Sequence, residues 1–280
     1  GAHSYLQSGR DGANPILDNT TPVEHVDYLT DEFAARAQKF IAEESQRPWF
    51  LYLAFNAVHT PMHATDARLK AVEKIADPQR RALAAMLVAL DEAVGRVVQT
   101  LRDTKQEERT LVVFISDNGG PTSVNASSNR PLRGFKGEVW DGGLRVPWLV
   151  RWPGKIPEGQ VISEPVIALD LAPTLLAAAG LSPTEWEGRD LLPRVTQGTA
   201  LPDRALCWRF GEQRAVRLGD WKLVDVGAGP QLFNLRHDLA EQHDCAKEHP
   251  KKLAELESAY REWNARNIAP AWPSPPKGSD

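Results

Sequence analysis

Cysteine is scarce in this chain: Cys207 and Cys245 are the only two among 280 residues. Two such isolated residues exclude a disulfide framework and a cysteine metal centre, and leave either one bridge or two free thiols. Long apolar runs are missing as well. None approaches the roughly 20 residues that a membrane-crossing helix needs, so no membrane span is expected. Positive charge is not in excess either. With 33 Lys and Arg against 37 Asp and Glu the formal net charge is −4, which argues against a nucleic-acid partner, because such binding needs a basic face. Any anionic ligand must then be held by a local cluster of cations. The chain opens on Gly1 with no signal-peptide pattern, which reads as a processed or partial chain.

What the chain does have is length and an ordinary globular composition, 42% hydrophobic and 25% charged. That suffices for one large domain or a domain with a smaller companion. Its most informative stretch is Leu111-Val112-Val113-Phe114-Ile115-Ser116-Asp117-Asn118-Gly119-Gly120. Five apolar residues in a row, three of them β-branched, suit a strand covered on both faces, the pattern of a parallel sheet between helices. Asp117 and Asn118 then stand beyond the carboxyl end of the strand, where such sheets bind ligands. Gly119 and Gly120 allow a sharp turn or a close backbone approach. Asp, Asn and Gly are also ordinary turn residues, so this stretch alone fits a ligand pair or a plain turn.

In chain order, residues 1–29 read as loop with at most one short strand. Thr30 as N-cap, with Asp31 and Glu32 in the first turn, opens a helix whose Phe33, Ala37, Phe40 and Ile41 share one face. After Pro48, residues 49–55 form a second apolar strand pattern. It ends in Asn56-Ala57-Val58-His59-Thr60-Pro61, which puts the titratable His59 at another strand terminus. His63 invites a zinc reading, but Pro61 disfavours helix before it and the glutamate of a helical zinc-protease motif is missing. The plain alternative for His59 is a histidine that satisfies a loop carbonyl. Asp77-Pro78 opens a long helix with an apolar stripe at Leu83, Leu87, Leu90, Val94, Val97 and Leu101. Helix followed by strand, twice over, suggests a layered α/β sheet.

Residues 122–129 read as an exposed loop. Asn19 and Asn125 begin glycosylation sequons, a short motif of little weight. Residues 131–147 interleave four glycines with Arg133, Lys136 and Arg145, as a solvated basic loop would, or as backbone folded around something small and anionic. Residues 148–150 continue as strand, and residues 170–179 form a small helix closed by Gly180. A Pro- and Gly-rich connector covers residues 181–204. Beyond it, residues 215–218 and 221–224 flank Gly219-Asp220 as a two-residue hairpin. Residues 231–235 add a third strand, and Pro250 opens a helix with Leu253, Leu256, Tyr260 and Trp263 on one face. The final Pro-rich tail should fray.

A hard-oxygen pair, a histidine and a lysine among glycines now stand in order on an α/β pattern. The combination resembles the formylglycine-dependent sulfatases of the alkaline phosphatase superfamily. The segment from Asn56 to Pro61, the turn from Ser116 to Gly120, the run from Pro131 to Pro147, Asp170-Leu171-Ala172-Pro173-Thr174-Leu175-Leu176, Gly219-Asp220-Trp221-Lys222 and Leu232-Phe233-Asn234-Leu235 look like successive landmarks of that family. The resemblance implies an alkaline-phosphatase-like layered sheet flanked by helices over residues 1–198. It also implies a small C-terminal antiparallel sheet with one packed helix over residues 199–280. It makes Asp117 and Asn118 ligands of one calcium ion, in keeping with the taste of a hard cation for oxygen. It gives Lys136 and His59 the task of holding sulfate oxygens and assisting departure of the alcohol, with His59 as proton donor. The partner it implies is a sulfated small molecule or glycan, and the location periplasmic or secreted.

The chain also departs from the family. The Cys-x-Pro-Ser-Arg or Cys-x-Ala-x-Arg segment that yields the formylglycine nucleophile is missing, since Cys207 precedes Trp208-Arg209-Phe210 and Cys245 precedes Ala246-Lys247-Glu248. In the family those elements, and two metal-binding aspartates, lie upstream of the position equivalent to Gly1. The resemblance therefore implies an amino-terminally incomplete sulfatase, inactive alone, whose missing portion completes the site. Two other readings stay open: a phosphatase or phosphodiesterase of the same superfamily, against which Asn118 speaks, and a non-catalytic remnant that binds sulfated sugars.

Overall fold

A computed structural model describes residues 4–6, 15–23, 26–182 and 185–269. The tail expected to fray, residues 270–280, lies outside the described residues. The chain divides into two compact units, residues 1–110 with 121–128, and residues 111–120 with 129–280. The boundary read from the sequence, between 198 and 199, falls inside the second unit.

In the first unit a short hairpin, β1 (Leu17–Asp18) with β2 (Thr21–Pro22), precedes α1 (Leu29–Glu43), α2 (Asp66–Ala71) and α3 (Pro78–Asp103). Tyr28, not Thr30, is the N-cap of α1, and Thr30 is buried inside the helix. Asp77 caps α3 as expected, its Oδ1 accepting from the Arg80 N–H at 2.6 Å, with Pro78 in the first turn. Of the expected α3 stripe, Leu83 and Leu101 are buried and Leu90, Val94 and Val97 half-buried, but Leu87 is exposed, while Met86, Ala89 and Ala93 are fully buried. Alanines at those positions let α1 and α3 pack closely. Residues 49–55 form no strand ladder among the described residues. They keep the alternation of one, with Phe50, Tyr52 and Ala54 exposed and the residues between them half-buried. Apolar alternation sets which face is buried, but a ladder also needs a partner strand.

The second unit carries β3 (Val112–Ile115), α5 (Asp141–Leu144), β4 (Trp148–Arg151), α6 (Leu171–Ala178), α7 (Leu192–Gln197), strands β5 (Leu206–Phe210), β6 (Gln213–Leu218), β7 (Trp221–Asp225) and β8 (Gln231–Asn234), and α8 (Pro250–Asn264). The intervening α4 (Thr122–Asn125) belongs to the first unit. The run expected to sit in a parallel sheet pairs antiparallel instead, Val113 opposite Val150 and Ile115 opposite Trp148. An apolar run reports burial on two faces and says nothing about strand direction. The hairpin at Gly219-Asp220 is as expected, Leu218 facing Trp221 and Gly219 at φ +59°. The sheet has four strands in the order β5-β6-β7-β8, all antiparallel; β5 was not read from the sequence.

This sheet is covered on both faces, and its period of two sorts the residues. Val216, Leu223 and Leu232 pack with Leu256 and Tyr260 of α8. Ala215, Val224 and Phe233 point the other way, against Val139 and Trp140. The glycine-rich run thus has a rigid floor. Asp170, fully buried, anchors the α6 landmark by accepting from the Ile167 and Arg189 amides at 3.0 and 2.8 Å and from the Arg204 guanidinium.

In the first unit, Asp31 of α1 binds Arg68 of α2 bidentately at 2.7 and 2.9 Å and Arg96 of α3 at 2.5 Å. Burial alone would raise its carboxyl, but the two guanidiniums outweigh burial and hold it below the usual carboxylate range. A depressed folded value gives stability that is present above the unfolded pKa, about 3.9, and is lost as pH falls through the folded value. Asp31→Asn should therefore lower the unfolding free energy by about 1–2 kcal/mol at neutral pH. In denaturant titrations that gap should close progressively below about pH 4; an equal gap at pH 7 and pH 3 would contradict the assignment.

Candidate active site

The ligand pair of the sequence reading sits on a turn built by backbone. The ladder of β3 continues to Ser116, whose N–H donates to the Pro147 carbonyl at 3.3 Å. Asp117 is exposed, and its Oδ1 accepts from the Asn118 amide at 3.0 Å. The Asn118 side-chain Nδ2 donates to the Gly119 carbonyl at 2.9 Å, which fixes the amide plane and so the direction of its oxygen. The Gly119 N–H then donates to the Gly143 carbonyl at 3.0 Å. A Cβ at Gly119 would lie 1.7 Å from the Gly142 carbonyl oxygen, and one at Gly143 would lie 2.2 Å from that of Glu138. Only glycine permits these main chains to touch.

The same clasp holds the lysine loop. Asn129 is its pivot: its Oδ1 accepts from the Gly120 N–H at 2.9 Å, and its Nδ2 donates to the carbonyls of Gly120 and Gly134 at 2.9 and 3.1 Å. The Lys136 N–H donates to the Gly120 carbonyl at 3.4 Å. Gly134 and Gly137 bracket the lysine at φ +84° and +87°, a region that favours glycine. From the floor of the sheet, the Gln213 amide bonds the Gly137 carbonyl at 3.0 Å. Asp117, Asn118 and Lys136 are thereby brought onto adjoining backbone within the second unit.

His59 belongs to the first unit. Its N–H closes a turn onto the Asn56 carbonyl at 2.8 Å, and its Nδ1 lies 2.8 Å from the Thr60 carbonyl. A carbonyl can only accept, so as a hydrogen bond this contact needs the Nδ1–H tautomer; the Thr60 hydroxyl lies 3.3 Å from the same nitrogen. Tyr5, fully buried, supports the turn from beneath, its hydroxyl reaching the carbonyls of Asn56 and His59 at 2.5 and 2.9 Å. Burial pushes this phenol well up from its ordinary value, so it remains a donor. The Tyr28 hydroxyl donates to the His63 carbonyl at 3.0 Å, and the two tyrosine rings stack at 5.8 Å. His63 is thus part of the support, and the described residues hold no group of three His, Cys, Asp or Glu able to bind a metal.

The oxygens of Asp117 and Asn118 fit a hard cation in kind, although two side chains supply fewer than the six to eight ligands calcium takes. The thiols do not enter the chemistry. Both are free; burial pushes Cys207 up to about 11 and raises Cys245 as well, so neither forms a ready thiolate. The loop at residues 122–129 is less open than expected. Gln79 and Arg80 of α3 donate to its Val124 and Ala126 carbonyls at 2.5 and 2.8 Å, and Asn125 is buried with its Oδ1 accepting from Ser127, which removes that sequon.

Sequence reasoning missed Asn129, Gln213 and the buried ion cluster of Asp141, Lys222 and Glu241. For the cluster a signal existed: Lys222 interrupts an apolar strand whose neighbours are buried on both faces. For Asn129 the spacing carried none.

With this geometry in view, the comparisons are concordant. The sulfatase family profile matches residues 4–181, and a profile described as N-sulphoglucosamine sulphohydrolase, C-terminal, matches residues 135–258. The chain belongs to the sulfatase family. It is 31% identical to arylsulfatase J of Mus musculus, over 74% of this chain and 40% of that protein. It is 35% identical to N-acetylgalactosamine-6-sulfatase of Sus scrofa, over 69% of this chain and 38% of that protein. The chain therefore spans less than half the length of either. Among solved structures, Ps i-CgsB in complex with k-i-k-neocarrahexaose is 32% identical with a TM-score of 0.89, covering 99% of this chain and 67% of that one. The α/β, alkaline-phosphatase-like class of the sulfatases thus holds here.

The clasp makes two substitutions informative. Asn129→Ala, which removes three hydrogen bonds, should lower stability by roughly 2 kcal/mol. Gly119→Ala, whose new methyl group would meet a carbonyl that cannot rotate away, should lower it by about 3 kcal/mol or more. Chemical denaturation ranks the two; a neutral Gly119→Ala would refute the backbone contact.

Proposed function

We infer that this chain is part of a sulfatase that hydrolyses a sulfate monoester on a carbohydrate. The observation that carries this reading is the clasp, which sets a hard-oxygen pair and a lysine on adjoining backbone through the 3.4 Å bond from Lys136 to Gly120. Support for a glycan substrate comes from the 0.89 TM-score match to a protein bound to a neocarrahexaose. A sulfated oligosaccharide is the class of substrate this favours.

The chemistry assigned to each residue follows from charge. A sulfate ester is anionic, repels a nucleophile and leaves as a poor alkoxide, so fixed cations and a proton donor are required. Lys136 holds sulfate oxygens as a point charge. His59, oriented through Nδ1 by the Thr60 carbonyl, delivers the Nε2 proton to the leaving oxygen. Asp117 and Asn118 would hold one calcium ion, which when bound would neutralise sulfate charge as a Lewis acid. The formylglycine nucleophile and the other metal ligands are assigned to sulfatase sequence outside these 280 residues, and the protein to the periplasm or the exterior.

The test is sulfate release by the protein carrying its complete sulfatase domain, offered sulfated oligosaccharides, an aryl sulfate and matching phosphate esters, before and after chelation. Sulfate release that chelation abolishes and calcium restores is expected; turnover of phosphate esters alone would overturn the reading. His59→Ala should slow unactivated sulfate esters by about 100-fold or more while sparing an aryl ester with a good leaving group. Equal, undiminished rates on both would remove His59 from the proton-donor role.

A further inference from the structure

Beneath the glycine clasp lies a second polar assembly that the proposed chemistry does not use. The Lys222 ammonium is 1% exposed and lies 2.6 Å from Asp141 Oδ1 and 2.8 Å from Glu241 Oε1. Asp141 is 6% and Glu241 0% exposed at the side chain. Lysine and carboxylates are almost never so deeply buried unless paired, and taking such charges out of water costs several kcal/mol per ion. Well-packed apolar residues would give as much stability with less demand on geometry. What the ions supply is direction.

Their directions converge on α5. Lys222 lies on β7 opposite Phe233 and Arg217, on the sheet face shared with Val224, so it points toward Trp140 and Asp141. It takes the Asp141 side chain from below. Glu241 Oε2 accepts the Asp141 N–H at 2.8 Å, so the first residue of α5 is held by side chain and main chain together. The Glu241 carbonyl accepts from Arg133 Nη1 at 2.8 Å, and that guanidinium lies 3.7 Å over the Trp140 ring. The next residues are Gly142 and Gly143, which touch Gly119 and the backbone from Arg133 to Glu138.

We propose that Lys222, through Asp141 and Glu241, is the positioning residue of the active-site clasp, fixing Gly142 and Gly143 so that the Asn118 turn and the Lys136 loop keep their mutual register. Its functional consequence rests on the sulfatase reading; its structural part does not. The ammonium never touches substrate. Its work is to stop α5 from sliding along the sheet, which would break the bonds from Gly119 to Gly143 and from Gly142 to Arg133, 3.0 and 2.6 Å long.

Two variants of the full-length protein test this. Lys222→Met leaves two buried carboxylates unpaired and so threatens folding. The triple variant Lys222→Met, Asp141→Asn, Glu241→Gln removes all three charges at nearly constant shape and should fold. Site-resolved hydrogen exchange is read at the Gly119, Gly142 and Gly143 amides and, as an internal control, at the β6 and β7 amides. Alongside it, kcat and KM are measured on a sulfate ester and affinity is measured for calcium alone.

The proposal expects the triple variant to keep wild-type protection in the sheet while the three glycine amides exchange at least tenfold faster. It also expects kcat to fall at least tenfold with KM changed less. Wild-type protection at those glycines, or a loss shared equally by the sheet, would overturn it. Should the triple variant fail to fold, Glu241→Gln alone is read at the same amides by the same criterion. A wild-type protein that releases no sulfate defeats the functional reading, and the exchange result still decides the positioning claim.

Discussion

Main chain lies directly on main chain at Gly119, where the Gly142 carbonyl occupies the space in which any side chain would begin. Much of the second unit is arranged to make that contact possible. The strand from Val112 to Ile115 delivers one side of it, the helix from Asp141 delivers the other, and Asn129 stitches the turn to the lysine loop. The two-faced sheet below, with Val139 and Trp140 packed on Ala215, Val224 and Phe233, gives the loop a floor that does not yield. Close packing of this kind transmits displacement instead of absorbing it.

Each unit supports its candidate residues in its own way. Within the second unit, hydrogen bonds and glycines fix the backbone that bears Asp117, Asn118 and Lys136. Within the first unit, the buried phenols of Tyr5 and Tyr28 hold carbonyls of the turn that bears His59. In both units the candidate side chains sit on turns whose backbone is gripped by neighbouring polar groups.

Much of this was legible in the sequence, and the failures have physical causes. Helices announced themselves through period and caps: Asp77-Pro78, Pro250 and the Gly180 terminus lie where the spacing places them. The Gly219-Asp220 hairpin was equally plain, because a two-residue turn leaves few alternatives. Strand partners were not, since a ladder is a relation between distant segments; hence the antiparallel pairing of Val112–Ile115 and residues 49–55, which form no ladder among the described residues. The α3 stripe held at Leu83 and Leu101 but not at Leu87, and it passed over Ala89 and Ala93, because periodicity highlights leucines above small alanines. Asp117, Asn118, Lys136 and His59 could be named as candidates in advance, through the family resemblance, as polar residues at apolar ends and among glycines. The residues that place them, Asn129 and Lys222 among them, could not, because their roles are defined by contacts across 9 and 81 positions of sequence.

The two thiols have a consequence of their own. Cys207 and Cys245 are free and embedded in the core between sheet and α8, with Cys245 donating to the Leu232 carbonyl. They serve as small apolar filler. The sheet and α8 are thus held together by packing, with no cross-link between these two thiols.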